Sequence, residues 1–131
     1  MPSIFSRIIS GEIPCYKVVE DEKFFAFLDI NPLAKGHTLV IPKQEVDYIF
    51  DLSPEDYAGL FKFAQKIAKA IDIVCPSVKV GIAVIGLEVP HAHIHLVPLN
   101  RISDLDFTKP KLSFTPDEFT DLARRIAEHI Q

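Results

Sequence analysis

The sequence predicts an α+β fold: a five-stranded antiparallel sheet with a short N-terminal helix, one long helix and a C-terminal helix. Three observations predict it. Five runs rich in β-branched and aromatic residues occur, at 15–21, 24–29, 37–42, 78–86 and 91–97. The first three runs, and then the last two, are joined by links too short for a crossover helix, so these neighbours pair antiparallel. Two further segments repeat apolar residues at helical spacing, which places helices on the sheet.

The first element is a short helix. Ile4, Phe5, Ile8 and Ile9 recur at helical spacing, and Gly11 can serve as the residue past its end. "CYKVVED" and "FFAFLD" are the first two strands, with the charged "EDEK" as the turn between them. "INPLAKG" breaks the pattern with Pro32 and Gly36, and "HTLVIP" resumes it as the third strand. The long helix starts with Ser53 as N-cap, Pro54 at the first turn and Asp56 at the third position. Tyr57, Leu60, Phe61, Ala64, Ile67, Ala68 and Ile71 form its apolar stripe, and Cys75-Pro76 ends it. "VKVGIAVIG" and "HAHIHLV" are strands four and five, joined by "GLEVP". After a polar stretch containing Pro110, Thr115, Pro116 and Glu118 repeat the helix-start signal. Phe119, Leu122, Ala123, Ile126, Ala127 and Ile130 then keep helical spacing to the end.

A chain of 131 residues with no repeat and no linker reads as one domain, 1–131, able to bury a core without disulfides. A net charge of −4 argues against a partner that is a nucleic-acid polymer, which needs a basic stripe, but leaves room for a local phosphate site. Cys15 and Cys75 are too few and too far apart for a disulfide framework, and read as free thiols in a reducing compartment. The N-terminus lacks a signal-peptide pattern and no run approaches the length of a spanning helix. The expectation is a cytoplasmic protein with no membrane partner.

The chemistry concentrates in "HAHIHLVP" (91–98), which holds three of the five histidines. Side chains alternate along a strand, so His91, His93 and His95 share one face and Ala92, Ile94 and Leu96 the other. Three readings of that row stand open. It could be a solvated polar face. It could be a zinc site, completed by Glu88 or by a distant residue such as His37. Or one neutral imidazole attacks an electrophile while its neighbours bind developing charge or protonate a leaving group. Phosphorus suits the third reading, because its transition state spreads negative charge over oxygens that imidazoles can meet.

"HAHIHLVP" resembles the histidine triad signature, His-φ-His-φ-His-φ-φ with φ apolar. The resemblance extends to "IFSRIISGEIPCYKVVEDEKFFAFLDINPLAKGHTLVIPK" (4–43) and "GLEVPHAHIHLVP" (86–98), and covers roughly residues 4–100. It implies the fold of that family and a nucleotide hydrolase or transferase acting at an α-phosphate. His93 would be the nucleophile, forming a nucleotidyl-imidazole that water resolves. His91 and His95 would contact the phosphate and leaving group, and His37 would support the row from the neighbouring strand. A backbone carbonyl of the triad strand would fix the nucleophile's proton. Asp29 would accept hydrogen bonds from the ribose hydroxyls, or serve only as a turn cap beside "NP". Ile4, Phe5, Ile8, Phe27 and Ile30 would wall the base, or be ordinary core. The substrate expected is a purine nucleoside phosphoramidate. A dinucleoside polyphosphate hydrolase and a nucleotide-binding protein with little turnover are the alternatives.

The chain also departs from the family pattern. Where many members carry Gly-Gln and then Ser or Thr, Gly86, Leu87 and Glu88 stand here. The Leu87 side chain cannot donate to a leaving group, and an ionised Glu88 would repel a phosphate. Val80 and Gly81 occupy the place of a common asparagine. Some members hold structural zinc through Cys-x-x-Cys and histidines. Here Ser3 and Ser6 stand at the cysteine positions and Glu45 at that of a histidine, so no metal is expected, nor any cofactor. The resemblance further implies a homodimer, with the long helix and a central strand at the interface.

Overall fold

A computed structural model describes residues 2–131. Its elements are α1 (Ile4–Ile9), β1 (Lys17–Glu20), β2 (Phe24–Leu28), β3 (Thr38–Pro42), α2 (Pro54–Val74), β4 (Lys79–Ala83), β5 (Ile94–Leu99) and α3 (Pro116–Glu128). Short 3-10 turns lie at Ile49–Asp51 and Ile102–Asp104. The strands form one sheet in the order β1-β2-β3-β5-β4, every neighbouring pair antiparallel. This is the α+β architecture that the periodicity predicts.

Local chemistry starts each helix where the sequence places it. The Ser53 hydroxyl accepts the Asp56 N–H at 3.1 Å at the head of α2. At α3 the Thr115 hydroxyl accepts the Glu118 N–H at 3.1 Å, and the Glu118 carboxylate accepts the Thr115 N–H at 2.8 Å. The stripe of α2 buries Leu60, Ala64, Ile67 and Ile71, and Phe63 and Ala70 join it. Tyr57, Phe61 and Ala68 pack only at its margin.

The sheet is covered on both faces, unequally. Ala26, Leu28, Val40, Ile94 and Leu96 point to α2 and α3, in the larger core. Phe25, Phe27, Leu39 and Ile41 point the other way and pack with Phe5 of α1. Hence all five residues of β2 are buried, without the in–out alternation of a solvent-facing strand. Burial of each large side chain contributes roughly 2 kcal/mol. Because α1 is short, it leaves part of this second face open.

The strands are shorter than the sequence pattern suggests, and two differences bear on the site. β4 stops at Ala83, opposite His95, and Gly86 turns the chain away with a φ of +68°. β5 begins only at Ile94, so His91 and His93 precede it. The chain there is held by a loop, with the Ala92 N–H donating to the Val46 carbonyl at 2.7 Å. The alternation of faces nevertheless runs on through this segment, since Ala92 joins Ile94 and Leu96 in the helix-side core. The left-handed φ of +101° at Gly36 delivers His37 to the start of β3. A Cβ there would lie 2.9 Å from Cys75 Sγ.

Candidate active site

A cavity of about 510 Å³ opens on the α1 face of the sheet. Ile4, Phe5 and Ile8 of α1 wall one side, and Phe27, Asp29 and Ile30 come from β2 and the turn after it. His37, His93 and His95 line its polar part. Its volume suits a ligand of nucleotide size. Every site residue named from the sequence lines it except His91, and Leu87 and Glu88 stand on its rim.

His91 is fully buried. Its Nε2 meets the Pro42 carbonyl at 2.8 Å, and its Nδ1 meets the Ser3 hydroxyl at 2.7 Å. A carbonyl only accepts, so Nε2 carries the proton and Nδ1 accepts from Ser3. Both ring nitrogens of His91 are thus engaged within the fold, and His91 is not among the residues that line the cavity. The backbone of His91 serves instead, because its carbonyl accepts the Nδ1–H of His93 at 2.7 Å. That bond fixes the tautomer of His93 and leaves its Nε2 as a free lone pair.

The remaining pair reads the same way. The Leu33 N–H donates to His37 Nδ1 at 3.0 Å, so the proton of His37 is on Nε2. Nε2–H then donates to His95 Nδ1, 3.0 Å away, and His95 carries its own proton on Nε2. Burial disfavours the charged imidazoles: it pushes His37 down to about 3 and His95 down to about 4, and lowers His93 and His91 as well. At neutral pH the row is therefore uncharged, with one free lone pair on His93 and one free N–H on His95. The 3.5 Å approach of His37 Nε2 to Asp29 Oδ2 is not an ion pair, since the ring is neutral. Burial raises the Asp29 carboxyl, opposed by the Asn31 N–H that donates to it at 2.8 Å. Asp29 is thus a turn cap and a cavity wall at once.

Three side chains support this arrangement at the start of α1. The Ser3 hydroxyl accepts the Ser6 N–H at 3.0 Å, and Glu45 Oε1 accepts the Ser3 N–H and the Ser6 hydroxyl, each at 2.6 Å. With His91 they close one hydrogen-bonded cluster that ties α1 to the segment carrying His93. This cluster does not fit zinc: it offers hydroxyls where zinc prefers thiolates, and His91 has no open nitrogen. The ligand atoms of Asp29, His37 and His95 lie within 4.8 Å of one another. They do not fit a metal in this tautomer either, because the proton of His37 occupies the space between the two rings.

Among the cavity residues that the sequence reading did not assign to a site, two stand beside the imidazoles or carry charge. Phe107 and Lys111 come from the polar stretch after β5, where no local pattern marks them. Phe107 packs edge-on against His95, with ring centroids 4.8 Å apart. Phe5 does the same to His93 at 5.0 Å, so both rings are held by aromatic contacts. The missing asparagine also has a structural counterpart, since a Cβ on Gly81 would lie 2.3 Å from Leu99 Cδ1.

Comparison with known proteins agrees with this geometry. The family model of the HIT domain matches residues 10–102. The chain is 35% identical to the adenosine 5′-monophosphoramidase hnt1 of Schizosaccharomyces pombe, with the whole of both chains covered. A crystal structure of a Hit-like protein from Bartonella henselae superposes with a TM-score of 0.83 at 30% identity, covering 98% of this chain and 96% of the other. A zinc-bound histidine triad family protein from Mycobacterium smegmatis superposes with a TM-score of 0.80 at 32% identity, covering 96% and 91%. The five-stranded sheet, the ordered row of imidazoles and these matches lead to one conclusion: the chain belongs to the histidine triad family.

Proposed function

We propose that this histidine triad hydrolase acts at the α-phosphate of a purine nucleoside phosphoramidate. The observation that carries the reading is the bond from His93 Nδ1–H to the His91 carbonyl, which leaves an uncharged, oriented lone pair on Nε2 in a cavity of nucleotide size. His93 Nε2 attacks phosphorus, the P–N bond breaks, and the amine leaves with the Nε2 proton of His95. His37 Nε2–H, bonded to His95 Nδ1, supports that donation. Water then attacks phosphorus and returns a proton to His95 Nε2, the bond to His93 breaks, and a nucleoside monophosphate is released with the neutral row restored. The apolar walls from Ile4, Phe5, Ile8, Phe27 and Ile30 support a base at the far end, and Asp29 a ribose. The monophosphoramidase named among the relatives supports the choice of leaving group.

The active form in this proposal is a homodimer. β4 is an edge strand, and it carries the exposed apolar side chain of Ile82, while α2 exposes Ile73.

Turnover of adenosine 5′-phosphoramidate by the wild type and by His93→Ala tests the chemistry, with matched thermal melts. Turnover by the wild type alone supports it. A wild type that binds AMP and hydrolyses nothing would move the protein to nucleotide binding. Hydrolysis of a dinucleoside polyphosphate instead would change the leaving group.

A further inference from the structure

The segment between β5 and α3 runs as a strap past the cavity. It begins at the turn Ile102–Asp104, where the Asp104 carboxylate accepts the N–H groups of Asn100 and Arg101 at 2.8 and 3.0 Å. The Leu112 N–H donates to the Pro32 carbonyl at 2.9 Å, fastening the strap to the loop between β2 and β3. Between these ties, Phe107 covers His95 and His37, with ring centroids at 4.8 and 6.2 Å. Lys111 Nζ donates to the carbonyls of Phe107 at 2.6 Å and of Lys109 at 3.1 Å. An ammonium has three N–H donors, so one remains. Two carbonyls hold the group in place while that donor is unspent.

The charge of the cavity gives that donor a use. Lys111 is its only Lys or Arg among the described residues, against the acidic side chains of Asp29 and Glu88. The imidazoles are neutral, and the Leu87 side chain contributes no donor. A phosphate entering such a cavity meets two acidic side chains and needs a compensating cation. Lys111 is close enough to Asp29 and His37 to favour the carboxylate and disfavour the imidazolium.

We propose that Lys111 is a phosphate-binding, specificity-determining residue, whose third N–H contacts a phosphate oxygen of the bound nucleotide. The lysine on the strap then supplies the donor and the charge that the side chains of Leu87 and Glu88 do not. The inference rests on the nucleotide reading above.

Calorimetric titration with AMP and with adenosine, on the wild type, Lys111→Met and Lys111→Arg, tests it. Lys111→Met should weaken AMP about tenfold, ~1.4 kcal/mol, and leave adenosine unchanged. Lys111→Arg should return AMP to within about threefold of wild type, because the charge is restored. Added salt should narrow the wild-type preference for AMP over adenosine. Equal losses for both ligands would make the lysine merely a staple of the strap and overturn the proposal. Unchanged AMP binding in Lys111→Met would overturn it alone, while a wild type that binds neither ligand would sink the nucleotide reading and this inference with it.

Discussion

Replacing Ser3 by alanine should destabilise the protein by about 3 kcal/mol, a large cost for one hydroxyl. The Ser3 side chain does two things. It caps α1 by accepting the Ser6 N–H at 3.0 Å, and it donates to the buried Nδ1 of His91 at 2.7 Å. Loss of an N-cap costs about 1 kcal/mol. A buried acceptor left without a partner costs about 1–3 kcal/mol more. Ser3→Gly separates the two, because glycine at an N-cap costs only a few tenths of a kcal/mol, so about 2 kcal/mol should remain. Ser6→Ala loses an exposed bond to Glu45 and should stay within about 0.5 kcal/mol of wild type. Urea unfolding followed by far-UV circular dichroism reads these values; the chain has no tryptophan to report by fluorescence. In melting temperature the alanine variant should lose on the order of 10 °C. If Ser3→Ala stays within about 0.5 kcal/mol of wild type, water replaces the hydroxyl at His91, and the closed cluster is not what holds that ring.

The buried imidazoles make stability depend on pH. His37 and His95 titrate at about 3 and about 4 in the folded chain, below the value of about 6.5 expected when unfolded. The unfolded state therefore binds more protons in between. Their contribution is full above pH ~6.5 and is lost as the pH falls from there towards 4, by on the order of 1–2 kcal/mol per group at pH ~5. Urea midpoints at pH 7.5 and 5.0 measure the loss, and His95→Gln should shrink it; an unchanged difference would mean that His95 is not held neutral by the fold. For assembly, the wild type should sediment at twice the 14.7 kDa of the chain, and Ile82→Lys on the exposed edge strand at 14.7 kDa. A wild type that sediments as a monomer rules out the proposed pairing.

The elements were legible in the sequence because their causes are local. Period-2 and period-3.6 patterns, Ser53 and Thr115 as caps, and Gly36 as a turn all act over a few neighbouring residues. The alternation through His91–Leu96 likewise shows which residues face the helices, even where the ladder bonds are absent. The motif and the resemblance around it therefore identified the family.

What each imidazole does was decided only in three dimensions. The spacing makes His91, His93 and His95 look equivalent. The fold separates them by what each nitrogen meets: Pro42 and Ser3 at His91, the His91 carbonyl at His93, and His37 at His95. Those partners lie up to 88 positions away, so no local pattern carries them. Serines in place of cysteines at 3 and 6 were visible, but their closure with Glu45 and His91 into a hydrogen-bonded cluster was not. Lys111 and Phe107 sit in a polar stretch with no periodicity, and the tie from Leu112 to Pro32 brings them to the site. Residue type and spacing determined which chemistry this chain can perform. Long-range hydrogen bonds and burial decided which nitrogen is free to perform it.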